Sequence, residues 1–112
     1  MLLRNGEKVH VMHRTFFEKG GGRTLVGVVE ACDAGVARIR GNIYVMNQTK
    51  MVPVREAVPV TRFISLVNGE HIVTPLPDAA VLEKLEYQQS DAGLLVRDGT
   101  DCQLLLSALT LA

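Results

Sequence analysis

His10 and His13 are the first residues in the chain whose type and spacing could do chemistry. An H-x-x-H pair suits metal binding from one helix face, but residues three apart on a strand point to opposite sides. With His71, Cys32 and Cys102 added, the ligand spacing of a zinc site is still absent. The histidines therefore read as half-exposed strand residues, and no metal is expected. Gly20-Gly21-Gly22 has the composition of a phosphate cradle, yet no Lys-Ser/Thr pair follows and no long helix starts there. The triplet reads as a hairpin tip. Ser65, Ser90 and Ser107 lack nucleophile-elbow surroundings, and Asp98 and Asp101 read as turn formers. No nucleophile has an evident base, so neither catalysis nor a cofactor is expected.

The remaining candidates are basic. Arg38, Arg40 and Tyr44 alternate on one face of residues 36–46. Cations with a stacking aromatic are what a single-stranded nucleic acid needs. A solvated or subunit-contacting strand face is the competing reading. Phe16, Phe17 and Phe63 read as core.

The elements that must position these residues are strands. Fifteen valines, four isoleucines and seven threonines tilt the chain toward β-structure. Turn signals recur at Asp33-Ala34-Gly35, Asn68-Gly69, Asp91-Ala92-Gly93 and Asp98-Gly99, the pattern of a small barrel or sandwich. A first strand is predicted over residues 8–18. A second, over 23–32, is apolar on both faces. In the third, over 36–46, Ala37, Ile39, Ile43 and Val45 lie opposite a basic, polar face. Residues 47–59, with Pro53 and Pro59, read as a long connection with a possible edge segment. Residues 60–67 and 70–76 read as a hairpin about Asn68-Gly69. A short helical turn follows, with Asp78 as candidate N-cap, then a hairpin at residues 90–93 and a last strand near 102–108.

The 112 residues suit one domain, and 47% apolar content is enough for a packed core. Twelve basic groups balance twelve acidic ones. Charge is uneven along the chain: +1 over residues 1–33, +4 over 34–69 and −5 over 70–112. A basic middle and an acidic end could meet across a subunit contact or mark an anion-binding face. No apolar run approaches a membrane span, and Arg4, Glu7 and Lys8 interrupt any signal-peptide core. A cytoplasmic protein with no membrane partner is expected, with Cys32 and Cys102 as free thiols.

Two stretches resemble the Sm/LSm family of small, strongly bent β-barrels. Residues 23–33, Arg-Thr-Leu-Val-Gly-Val-Val-Glu-Ala-Cys-Asp, resemble its first motif, a bent strand with a glycine (here Gly27) that ends in an aspartate. Residues 64–78, Ile-Ser-Leu-Val-Asn-Gly-Glu-His-Ile-Val-Thr-Pro-Leu-Pro-Asp, are similar to its second, with a polar-Gly turn and a Leu-Pro ending. The resemblance covers residues 8–78 and leaves 79–112 as a C-terminal β-extension of a single domain. It implies a ring of identical subunits joined through edge strands, and an RNA site. Carried onto this chain, the resemblance points to Asp33, Asn68 and Gly69, with nearby His71 and, from the basic face, Arg38, Arg40 and Tyr44 completing the candidate RNA-contacting set. Val36 stands where the family has an Asn, and Asn68 where it has an Arg. Val offers no amide edge and Asn no guanidinium face, so base recognition would differ. The expectation is a non-catalytic, ring-forming Sm-like module that binds single-stranded RNA in an altered way. A protein-assembly module with no nucleic-acid role is the alternative.

Overall fold

A computed structural model describes residues 3–14, 16, 22–100 and 102–106 of the chain. The described part is all-β. Its strands are β1 (Lys8–His13), β2 (Arg23–Asp33), β3 (Val36–Asn47), β4 (Val52–Arg55), β5 (Val60–Ser65), β6 (His71–Pro75), β7 (Glu86–Ser90), β8 (Gly93–Arg97) and β9 (Gln103–Leu106). A single 3-10 turn, Leu82–Lys84, precedes β7. β1 to β6 form one antiparallel sheet in the order β4-β3-β2-β1-β6, with β5 also on β3, and β7-β8-β9 form a second. The outer edge of β3 is shared: residues 36–41 pair with β5, and residues 44–47 with β4.

One face of the first sheet buries Val9, Val11, Leu25, Val29, Ala37, Ile39 and Ile64, all from its own strands. A sheet that supplies its whole core must curl about that face, here called the inner face. Two devices allow the curl. Gly27 stands opposite Gly41, and a methyl group on either would run into the facing backbone. The β2–β3 register also shifts between Val29 and Ala31, as at a bulge. Glycine at position 27 thus has a steric cause, since the Arg40 carbonyl leaves no room for a Cβ.

The second sheet covers part of the outer face. Met12, Val26 and Tyr44 meet Leu85, Tyr87, Leu94, Val96, Cys102 and Leu106 there. This explains why β2 is apolar on both sides. The junction is held by Lys8 Nζ, which donates to the carbonyls of Asp78 and Ala80 (2.7 and 2.6 Å). It is also held by Asp98, whose carboxylate accepts from the Val81 N–H (2.8 Å) and from Thr100 N–H and O–H. The Thr100 hydroxyl, then the Val81 N–H, holds the Asp98 carboxyl down at about 2.

Several expectations need correction. β1 stops at His13, where Arg14 turns and donates its N–H to the Glu70 carbonyl (2.8 Å). Asn68-Gly69 does not make a hairpin, because β5 pairs with β3 and β6 with β1. The loop crosses between two rims of the curled sheet, so that Ile64 and Val73 join the same core from opposite sides. The 3-10 turn begins after Val81 with no side-chain cap, so Asp78 is not its N-cap. His10 is buried rather than half-exposed, while His13 and His71 are partly buried. Cys32 and Cys102 are free thiols. The outer parts of the predicted first and last strands (residues 15, 17–18 and 107–108) lie outside the described residues, as do Phe17, Gly20, Gly21, Asp101 and Ser107.

Candidate functional site

Arg38 and Arg40 do stand on the outer face of β3, beyond the reach of the second sheet, and both are exposed. Arg38 pairs with Glu30 (3.3 Å), an exposed contact worth about 0–1 kcal/mol. Arg40 makes no ion pair among the described residues and borders a cleft of about 370 Å³. In that cleft Arg55 donates to Asn42 Oδ1 (3.2 Å) and the Glu83 carbonyl (3.3 Å).

Tyr44 shares the face of these arginines yet is only 2% exposed. Its hydroxyl donates to the Leu85 carbonyl (2.9 Å), and its ring meets Tyr87 edge-on at 5.1 Å. Burial pushes the phenol pKa up. Tyr44 therefore anchors the second sheet and offers no stacking surface, which corrects its place among the RNA contacts.

Among the described residues the exposed aromatic is Phe63, expected in the core but 71% exposed. Ile64 and Arg62 take the inner face of β5, so alternation turns Phe63 outward, directly opposite Arg38. No residue of β5 belongs to the cluster under the second sheet, so nothing covers that ring there. Val67 (76% exposed) and Val36 extend the apolar strip along the same rim. The signal available in the sequence was the period-2 position of Phe63 between Arg62 and Ile64.

The two motif turns come together. Ala34 and Gly35 take positive φ (51° and 81°) in the β2–β3 turn, and Leu66 N–H donates to the Gly35 carbonyl (2.7 Å). This places Asp33 near the loop of Asn68 and Gly69. Asn68 Oδ1 accepts from the Glu70 N–H (3.0 Å), and the Gly69 carbonyl accepts from Arg14 Nε (2.6 Å). Both groups thus stabilise the loop itself. His71 faces the other way, inward and opposite His13. The seven expected residues therefore occupy four places: the paired turns, the outer face of β3, the inner face at the β1–β6 rim, and the buried sheet junction.

What the fold and these surfaces define is an antiparallel β-protein with an apolar-and-basic outer rim. Among the described residues no cluster of three or more His, Cys, Asp or Glu could hold a metal ion, and no helix is long and apolar enough to cross a membrane. No family model, curated protein or solved structure matches the chain.

Proposed function

We propose that this chain is a non-catalytic, Sm-like assembly module whose copies join through the free edges of β5 and β6. The observation that carries this reading is exposed Phe63 on β5, a strand paired on one side only among the described residues, with exposed Val67 just beyond its end and Val36 on the adjoining β3. An exposed edge with an apolar side chain turned outward is a template for another strand. β6, at the other end of the sheet, is likewise paired on one side only among the described residues. Joining unlike edges is a head-to-tail contact, and head-to-tail contacts close into rings when the rotation allows. The Sm-like assignment is supported by the strand order β5-β3-β2-β1-β6, a bent sheet whose last strand returns to the first, and by the touching motif turns.

The test is a light-scattering mass with the 260/280 nm absorbance ratio. The expected mass is roughly 61–85 kDa, five to seven times 12.2 kDa. Phe63→Glu is expected to reduce it to that of one chain with the circular dichroism unchanged, since the ring adds little to the core. A native monomer overturns the proposal, and a Phe63→Glu variant that stays assembled overturns this placement of the interface.

Phe63 beside Arg38 and Arg40 favours a second reading, in which the outer rim binds single-stranded RNA by stacking and phosphate pairing. Arg38→Glu with Arg40→Glu would then abolish a salt-sensitive RNA affinity. Absence of RNA binding by the native protein at low salt refutes it.

A further inference from the structure

At the rim where β1 meets β6, basic and imidazole side chains join the apolar residues of the inner face. The core residues Val11, Leu25 and Ile64 are succeeded, two positions toward this rim, by His13, Arg23 and Arg62. Period-2 alternation keeps each on the face of its apolar neighbour. His71 stands opposite His13, with the two rings edge-on at 5.4 Å. All four side chains line one cleft of about 410 Å³ floored by the apolar three. Small-molecule sites occupy roughly 300–1,000 Å³.

Arg23 and Arg62 bring two guanidinium charges to this cleft. No acidic residue lines it among the described residues. Arg62 donates to the carbonyl of its neighbour Thr61 (3.2 Å), and Arg23 pairs with no acid among the described residues. His71 Nδ1 is buried without a hydrogen-bond partner. Two guanidiniums offer planar forks that match carboxylate and phosphate oxygens. A buried ring nitrogen with no partner adds a polar atom that a ligand can satisfy.

We propose that this cleft binds a small oxyanion, carboxylate or phosphate, carried on an apolar body. Arg23 and Arg62 hold the oxyanion at the rim, the histidines contact it or its linking atom, and the body rests on Val11, Leu25 and Ile64. The site lies on the inner face of the sheet, whereas the outer rim described above lies on the other face.

The experiment is an NMR titration of the histidine ring signals of the native protein with phenyl phosphate, benzoate and inorganic phosphate. Either aromatic probe is expected to shift His13 and His71 at millimolar concentration and leave His10 in place. Whichever binds more tightly identifies the head group. Arg23→Gln with Arg62→Gln, both exposed positions, is expected to weaken binding about tenfold or more with the melting temperature unchanged. If the double variant does not fold, Arg23→Gln alone supplies the comparison. No shift with either aromatic probe at about 10 mM overturns the proposal, as does undiminished binding by a folded variant. Inorganic phosphate binding as tightly as phenyl phosphate overturns the apolar part.

Discussion

His10 is 1% exposed, on the outer face of β1 beneath the second sheet. Its Nε2 lies 2.7 Å from the Tyr87 hydroxyl, which also bonds to Thr24 Oγ1, and its Nδ1 has no partner. Leaving a lone pair unpaired is easier than leaving an N–H unpaired. That selects the tautomer in which Nε2–H donates to Tyr87 and the Tyr87 hydroxyl donates to Thr24. A second ring proton would sit on Nδ1, where no acceptor stands. Burial accordingly lowers the His10 pKa from 6.5 to about 4. Burial also pushes the Tyr87 phenol up, so it stays neutral.

The sign of the pH effect follows. Because the folded pKa lies below the unfolded one, the unfolded chain binds the extra proton between about pH 6.5 and 4. Stability is full above pH 6.5 and falls as the pH drops toward 4. The limiting loss is about 3 kcal/mol, of which roughly 2–3 kcal/mol is gone by pH 4.5. Asp98 does not confuse this window, since its folded pKa of about 2 and ordinary value of 3.8 both lie below it. His10→Gln supplies a control that keeps an N–H donor toward Tyr87 and cannot titrate. Urea unfolding at pH 7 and 4.5, followed by tyrosine fluorescence at one protein concentration, should show wild type losing roughly 2–3 kcal/mol more than His10→Gln. Equal losses, or a His10 ring signal that titrates near 6.5, would refute the reasoning.

Other consequences are as direct. Gly41→Ala should destabilise the fold by about 3 kcal/mol or more in urea unfolding, because its methyl group meets the Val26 carbonyl where the sheet bends. Tyr44→Phe should cost about 1–2 kcal/mol, by leaving the Leu85 carbonyl unpaired, and should alter the near-ultraviolet signal of the Tyr44–Tyr87 pair. Asp98→Ala should lower the melting temperature more than Asp78→Ala. The first removes the acceptor for Val81 and Thr100, whereas the Asp78 contact to Lys8 is made by its backbone carbonyl.

The strands themselves were legible in the sequence. Alternation along residues 36–46 and the Asp33-Ala34-Gly35 turn located β2 and β3 to within a residue, because side-chain period and positive-φ turn positions are local properties. The same holds for the Ser90–Gly93 turn joining β7 and β8. Gly27 was singled out through the resemblance alone, and the structure gives it a steric reason in the facing Arg40 carbonyl.

Tertiary structure decided which faces are covered and how far. Arg38 and Tyr44 share one face of β3, and alternation cannot say that a second sheet reaches the tyrosine but stops before the arginine. The same boundary leaves Phe63 in solvent and puts His10 out of it. Asn68-Gly69 specifies a reversal of direction but not a pairing partner. Whether β6 returns to β5 or crosses to β1 depends on the inner core being completed from both rims, a non-local gain. The cleft of Arg23, Arg62, His13 and His71 draws its residues from four strands, with positions 13 and 71 far apart in the chain. Local sequence sets which side of a strand each residue faces, and only the packing of distant strands determines what stands on that side.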